Sequence, residues 1–219
     1  MSNKDAEERI SYSRQTVGVA WKAISRHIGG GRLIDLQDQA DAIAQFLDTT
    51  VSIDAIYGVK NGAYKGLAHR SQKSWPGRPF CTHTVRWDLR SGNRTERHKL
   101  IAAYEEQDAI GPAIHMHAYF DERSPLTDLI CVAAVQTRQM ARLMIEHREC
   151  FQTRQVYDGN TLGYVTWDCM LEHGLKVTVC DGNGQLLEPN SWPDSWQNNP
   201  KERLEKVTSG QDDTWEFGF

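Results

Sequence analysis

The strongest constraint on the fold is a β-hairpin pattern in residues 51–72. The segment VSIDAIY at 51–57 alternates between apolar and polar positions and is rich in β-branched residues, which predicts a strand with one buried face. Asn61-Gly62 is the dipeptide that most favours a tight hairpin turn. The segment 63–72 then predicts the returning strand. The elements that precede residue 51 must therefore pack next to a β-sheet.

Helical and strand patterns alternate over the rest of the chain. Helices are predicted at 12–28, 36–47, 94–106, 137–147 and 169–173, and further strands at 80–89, 113–120, 129–136, 155–157 and 162–168. This order predicts an α/β fold with a mixed central β-sheet flanked by helices. We expect one domain over residues 1–180 and a C-terminal tail, 181–219, packed on or near it through Trp192, Trp196 and Trp215.

The charge distribution is strongly asymmetric. The net charge is -4, but ten of the 25 Lys and Arg residues and only two of the 29 acids fall within 60–99. That segment therefore carries +8 and the remainder -12, which indicates an anionic partner at one face, most commonly a nucleic acid. A solvated basic face is the simpler alternative.

Several classes of protein are disfavoured by what the sequence does not contain. The five cysteines form no C-x-x-C pair, which argues against a disulfide framework and against a structural zinc site. No run approaches the roughly 20 apolar residues of a membrane helix, and the first residues do not resemble a signal peptide, so we expect a cytoplasmic protein without membrane contact. The glycine motifs typical of ATP and NAD binding are not found either.

Polar residues of the hairpin are the first candidates for chemistry. Asp54 lies at the start of the first strand and offers an oxygen ligand to a hard cation such as Mg²⁺. On the second strand, alternation places Arg70 and Gln72 on the same face. An arginine on a buried strand needs an anionic partner, either a protein carboxylate or a phosphate.

These segments resemble the PD-(D/E)XK nuclease-like superfamily, which has a restriction-endonuclease-like fold. The resemblance covers about 12–147 and rests on Ile53-Asp54, on GLAHRSQ at 66–72 and on TERHK at 95–99. In that superfamily, a helix precedes a hairpin whose first strand supplies an Asp and whose second supplies a (D/E)-x-K triplet. Here Arg70-Ser71-Gln72 stands in place of the triplet, so the acid is missing and Gln72 replaces the lysine.

The resemblance implies roles for four residues. Asp54 and Glu96, a carboxylate that has migrated to the following helix, would hold Mg²⁺ or Mn²⁺; Gln72 would orient the water and Lys99 would stand in for the lysine. The ion would activate that water and neutralise charge on the phosphate. Residues expected to contact DNA are Arg70, Lys73, Trp75, Arg78, Arg86, Arg90, Arg94 and Arg97.

Each of these residues also has an alternative interpretation. Asn93-x-x-Glu96 fits a capping box in which Glu96 only bonds the helix start, and Asp88 is an alternative second carboxylate. Arg70 could simply pair with Asp54 or Glu96. His115 and His117 lie two residues apart on a strand and could bind a metal or transfer protons, but a partly buried surface pair is the commoner arrangement.

Three functions remain open from the sequence. The first is a Mg²⁺-dependent nuclease that acts on duplex or single-stranded DNA. The second is a catalytically inactive module on the same fold that binds a nucleic acid or a protein. In both cases the protein could form a homodimer. The third is a phage or mobile-element accessory protein whose acid-rich C-terminal half contacts a host protein.

Overall fold

The computed structural model describes residues 3–36, 42–106, 110–156, 159–193 and 196. Its helices are α1 (Asn3–Ile24), α2 (Ala42–Val51), α3 (Glu96–Glu105), α4 (Thr137–Glu146) and α5 (Trp167–Glu172). Its strands are β1 (Gly30–Asp35), β2 (Ala55–Val59), β3 (Tyr64–Ser74), β4 (Thr82–Asp88), β5 (Pro112–Asp121), β6 (Leu129–Gln136), β7 (Gln152–Gln155), β8 (Thr161–Thr166), β9 (Thr178–Asp181) and β10 (Leu186–Leu187). Short 3-10 turns lie at Ser25–His27, Arg148–Cys150 and Pro189–Ser191.

Seven strands form one mixed sheet in the order β1-β2-β3-β5-β6-β9-β10. The central pair, β3 and β5, is parallel, with Arg70 opposite His117 and Gln72 opposite Tyr119. The other neighbouring pairs in this sheet are antiparallel. The parallel pair requires a crossover, and the connection from β3 to β5 contains β4 and α3.

The second sheet has three strands in the order β4-β8-β7. It lies with α3, α4 and α5 over one face of the large sheet, where Tyr119 and Cys131 meet Trp87 and Trp167 in a shared core. Helix α1 covers the opposite face through a second core that contains Trp21. The expected α/β architecture with a mixed sheet and flanking helices is therefore confirmed.

The hairpin and most helices follow their sequence patterns, with shifted ends. Gly62 adopts a φ of 83° in the turn between β2 and β3, a conformation that glycine reaches without strain. The predicted strand at 51–57 instead starts at Ala55, because α2 continues to Val51. The strand β1 was not predicted, since its sequence GGRLID begins with the glycines that indicate a helix stop.

The predicted helix at 36–47 is only partly confirmed. Leu36 is buried but lies outside any helix, residues 37–41 fall outside the described ranges, and α2 begins at Ala42. Near the other end of the chain, Trp192 and Trp196 are buried against Trp167. Trp215 lies outside the described residues. None of the described helices is both long enough and apolar enough to cross a bilayer.

Candidate functional site

Asp54 directly precedes β2 and faces β3. Its backbone N–H donates to the Leu67 carbonyl at 2.9 Å, and its Oδ2 accepts the backbone N–H of His69 at 2.5 Å. Burial raises the pKa of Asp54 to about 8; the His69 hydrogen bond opposes this shift, while the charges of Glu96 and Asp48 add to it. Asp54 therefore lies in a site where negative charge is already in excess.

Glu96 is held by three groups from three different elements. Its Oε2 accepts from Arg70 Nη2 at 2.7 Å and from the Arg86 backbone N–H at 3.0 Å, and its Oε1 lies 3.0 Å from His115 Nε2. Burial alone would raise the pKa of Glu96, but the Arg70 charge and the His115 hydrogen bond outweigh it and hold that pKa below its usual range. Arg70 and Glu96 thus form a largely buried ion pair, with side chains 16% exposed.

The start of α3 determines where Glu96 points. The N-cap residue is Thr95, whose hydroxyl donates to the Trp87 carbonyl at 2.9 Å and whose backbone N–H donates to His98 Nδ1 at 3.2 Å. The capping box expected at Asn93-x-x-Glu96 therefore lies two residues later, at Thr95-x-x-His98. Glu96 is the first residue of the helix, so its side chain is released from capping and reaches the sheet.

Lys99 lies three residues along α3 from Glu96, on the same side of the helix. Burial lowers the pKa of Lys99, and the carboxylates of Glu96, Asp48 and Asp54 oppose that shift. The same residues that surround Asp54 therefore also interact with Lys99. Asp54, Arg70, Glu96 and Lys99 share one electrostatic neighbourhood.

Gln72 lies farther along β3. It is buried and on the same face as Arg70, but its neighbour across the parallel pair is Tyr119. The β2–β3 register places Asp54 beside Ala68, four residues earlier on β3. At about 3.3 Å per residue, that is roughly 13 Å along the strand. Gln72 therefore borders the site at its far end and does not flank Asp54.

Three histidines form an entirely buried cluster beside Glu96. His83, His115 and His117 each have no exposed surface, and the ring of His83 lies 5.4 Å from that of His115 and 5.8 Å from that of His117. The expectation of a partly buried surface pair at His115 and His117 is wrong, because β5 is a central strand covered on both faces. His83 was not predicted to join them. The only sequence feature that pointed to it was its position on the strand that follows the hairpin.

Each of these histidines has one bonded and one unbonded ring nitrogen. Trp167 Nε1 donates to His83 Nδ1 at 3.1 Å, and the Thr84 backbone N–H donates to His117 Nδ1 at 3.3 Å. The remaining nitrogens, His83 Nε2, His115 Nδ1 and His117 Nε2, are buried without a hydrogen-bond partner among the described residues. Burial holds the pKa values of His83 and His117 well below the ordinary value, so both rings are neutral.

A second polar group lies on the opposite face of β3, under α1. The Thr16 hydroxyl donates to Ser71 Oγ at 2.8 Å, Ser71 Oγ lies 2.9 Å from His69 Nε2, and Ser13 Oγ lies 3.5 Å from His69 Nδ1. His69 also presents its backbone N–H to Asp54. This network explains how β3 can carry polar residues on both faces, and the sequence pattern did not predict it.

The predicted DNA-contacting residues separate into two surface groups and a buried residue. Strand β4 runs back along β5, since Thr82 N–H bonds Tyr119 Oη and Thr84 N–H bonds His117. Lys73, Trp75 and Arg78 consequently lie at the carboxyl end of β3, and Arg86, Arg90, Arg94 and Arg97 lie towards or beyond the other end. Arg70 is the buried residue.

The basic side chains also differ in what they contact. Arg97 donates to Asp88 at 3.1 Å and lies over the Trp87 ring at 4.8 Å. Asp88 is thereby engaged at the surface, away from the Glu96 contacts, which leaves it poorly placed as a second metal carboxylate. Arg78, Arg90 and Arg94 are exposed.

No protein-family model, curated protein or solved structure matches this chain. The site itself can offer three kinds of chemistry. It supplies two carboxyl groups as oxygen donors, two cationic side chains to balance charge on an anion, and the buried neutral imidazoles of His83 and His117.

Proposed function

We propose that this chain is a divalent-metal-dependent nuclease-like protein on a restriction-endonuclease-like scaffold, with its site at Asp54 and Glu96. The observation that carries the proposal is the convergence of these two carboxyl groups. They come from the hairpin and from the following helix, and the charge of Glu96 helps to raise the pKa of Asp54. A divalent cation stabilises the charged form of carboxyl groups that burial and a neighbouring negative charge disfavour.

The residues fit Mg²⁺ or Mn²⁺ through their donor atoms. Asp54 and Glu96 supply the oxygen ligands that hard cations prefer, and a cation would stabilise the charged form of Asp54, which burial and the charge of Glu96 disfavour. Both carboxylate oxygens of Glu96 already accept hydrogen bonds. Glu96 would therefore have to give up its contact with Arg70 or with His115 before it could bind the ion. When bound, the ion would activate water and offset charge on a phosphodiester.

The chain's own side chains account for substrate positioning. Arg70, once released from Glu96, has a free guanidinium fork for a phosphate oxygen, and Lys99 adds a second positive charge beside the carboxylates. Gln72 would contact the substrate farther along β3. Exposed Arg90 and Arg94 would hold the DNA backbone at one end, and Lys73 and Arg78 at the other.

Cleavage by matched variants tests this proposal. Plasmid and single-stranded DNA are incubated with Mg²⁺ or Mn²⁺ and with wild type, Asp54→Asn or Asp88→Asn. We expect metal-dependent cleavage by wild type, at least 100-fold slower cleavage by Asp54→Asn, and little change for Asp88→Asn, whose carboxylate only pairs with surface Arg97. Cleavage that survives in Asp54→Asn, or is equally lost in Asp88→Asn, contradicts the assigned site.

A second function, a catalytically inactive binding module, is favoured by one specific observation. Arg70, His115 and the Arg86 backbone already satisfy Glu96, which is the closed arrangement expected of a scaffold that no longer holds metal. In that case, wild type binds DNA without cleaving it under either metal. Binding through the exposed arginines would weaken steeply with salt, and the variant Arg90→Ala/Arg94→Ala would reduce the salt slope by about two.

A nucleic acid is not the partner if neither cleavage nor salt-sensitive binding is observed. The acid-rich remainder of the chain would then be the interaction surface, directed at a host protein. Retention of the chain by a cationic protein surface that is lost at high salt would support that interpretation.

A further inference from the structure

A cluster of sulfur and nitrogen ligands lies outside the site described above. Cys150, Cys169 and His173 place their ligand atoms within 4.8 Å of one another, and His147, Glu149 and His173 form a second such group. The two groups share His173. All five side chains come from two short segments, one directly after α4 and one on and just after α5.

The distances match a tetrahedral zinc site. Zinc binds sulfur at about 2.3 Å and nitrogen at about 2.0–2.1 Å, so a tetrahedral site separates sulfur and nitrogen by about 3.6 Å. Cys150 Sγ lies 3.6 Å from His173 Nε2, which matches that separation. Cys169 Sγ lies 3.8 Å from the other ring nitrogen, Nδ1, so the His173 ring must rotate for Nε2 to face both sulfurs.

Hydrogen bonds fix the histidines in the form that binds metal. His173 Nδ1 lies 2.8 Å from the Cys169 carbonyl oxygen, which can only accept, so Nδ1 carries the proton and Nε2 keeps its lone pair. His147 Nδ1 lies 3.2 Å from Glu149 Oε1, and a carboxylate likewise holds the proton on Nδ1. Metal-binding histidines are typically oriented in this way by a carbonyl or a carboxylate.

We propose that Cys150, Cys169 and His173 bind one zinc ion, and that His147, which lies in the second group with His173 and Glu149, turns towards the ion as the fourth ligand. Two thiolates with two imidazoles are a ligand set that selects zinc over Mg²⁺ or Ca²⁺. The sequence pattern is His-x-x-Cys followed by Cys-x-x-x-His, which a search for C-x-x-C does not find. The expectation against a structural zinc site rested on the missing C-x-x-C pair, and the proposed site uses a different spacing.

The site would join two parts of the fold that otherwise meet only through side-chain packing. It ties the turn Arg148–Cys150 to α5, whose first residue, Trp167, donates to His83 in the buried histidine cluster. Its role is structural, since all four ligand positions are filled by protein. It does not depend on the function proposed for Asp54 and Glu96.

Metal analysis of the purified full-length protein tests the proposal. We expect about one zinc per chain by mass spectrometry, and Co²⁺ added to the chelator-treated protein should give thiolate charge-transfer absorption and intense visible bands of tetrahedral cobalt. Cys169→Ala and His173→Ala should bind at least 100-fold more weakly. Cys180→Ala, which changes a cysteine outside the cluster, should bind as wild type does.

Three results would overturn the proposal. The first is a zinc content far below one per chain in wild type, together with an octahedral cobalt spectrum or none. The second is full zinc retention by Cys169→Ala and His173→Ala. The third is a Cys150–Cys169 disulfide in protein purified under reducing and chelator-free conditions. The cobalt titration uses wild type alone, so it decides the question even if the variants do not fold.

Discussion

Asp54 makes stability depend on pH at the level of one residue. Its folded pKa is about 8, above the model-peptide value of about 3.9, so the folded protein holds a proton that the unfolded chain has lost between those values. The contribution of Asp54 to stability must therefore fall as pH rises through this window. In Asp54→Asn this penalty is removed, and we expect its advantage over wild type to grow by up to ~1.4 kcal/mol per pH unit between pH 5 and 8.

Urea unfolding at pH 5, 6, 7 and 8 measures this difference. Asp88→Asn serves as the control, because its carboxylate is 54% exposed. A difference between Asp54→Asn and wild type that stays constant across these pH values, or shrinks as pH rises, would show that Asp54 is ionised in the folded protein.

Buried histidines act in the opposite direction and at lower pH. Burial lowers the pKa of His69 to about 3 and holds the pKa values of His83 and His117 well below normal. The unfolded chain therefore takes up protons below about pH 6.5 that the folded protein refuses, and stability falls as pH decreases. On unfolding near pH 5, the three histidines would take up about three protons and Asp54 would release about one. We therefore expect a net uptake of about two protons.

Unfolding followed from pH 7 to 5 gives this number from the slope of stability against pH. The Asp54→Asn variant should show about one proton more than wild type in the same range. Stability that is flat or increases towards pH 5 in wild type would mean that these rings are charged or solvated in the folded state.

Glu96 compensates the buried charge of Arg70. In Glu96→Gln, Arg70 would remain largely buried without a counter-ion, at an expected cost of about 3–5 kcal/mol. Glu146→Gln, which breaks an exposed pair with Arg142, should cost less than about 1 kcal/mol. Chemical denaturation compares the two, and the double variant Glu96→Gln/Arg70→Met should recover part of the loss. Equal effects of the two single variants would argue against a buried ion pair.

At the scale of elements, the N-cap of α3 sets the direction of Glu96. Thr95→Val keeps the shape of the side chain but removes the hydroxyl that bonds the Trp87 carbonyl, and we expect a loss of about 1–2 kcal/mol. Thr95→Ser keeps the hydroxyl and should lose less than half as much. Thermal or urea unfolding measures both; a serine variant as unstable as the valine variant would assign the effect to the methyl group instead.

The sequence predicts regular elements well where one local rule determines them. The Asn61-Gly62 turn and α4, with its regularly spaced apolar residues, form as expected, and the two strands of the hairpin form with shifted ends. Strand β1 was missed because it pairs at the sheet edge and is stabilised by β2 and not by its own sequence. Its glycines indicate only that a helix ends.

The candidate site was partly predictable for the same reason. Arg70 could be selected from strand alternation and Asp54 from its place at the start of the hairpin, whereas Glu96 was singled out only by the family resemblance. Gln72 lies far along β3 from Asp54, since the register that decides this depends on pairing between distant segments. The contact of His83 with His115 depends on how the second sheet lies over the first, which no local pattern contains.

At the scale of the whole molecule, Trp192 and Trp196 belong to the principal core. The ring of Trp192 meets that of Trp167 at 5.4 Å, and Trp167 in turn bonds His83. Trp192→Ala should therefore cost about 3–5 kcal/mol. Unfolding by urea measures this loss, with Leu186→Ala, an exposed position on β10, as the control. A cost no greater than that of the control would mean that the C-terminal segment is dispensable for the core.

The parallel pairing of β3 with β5 also governs the order of events during synthesis. The eleven residues of β3 find their central neighbour only after Pro112–Asp121 has left the ribosome, and β4 and α3 are made in between. Until then, one side of β3 is an open edge able to pair with another nascent chain. Prematurely terminated products ending before residue 112 should therefore aggregate, and Glu96 can contact His115 only once β5 has been made.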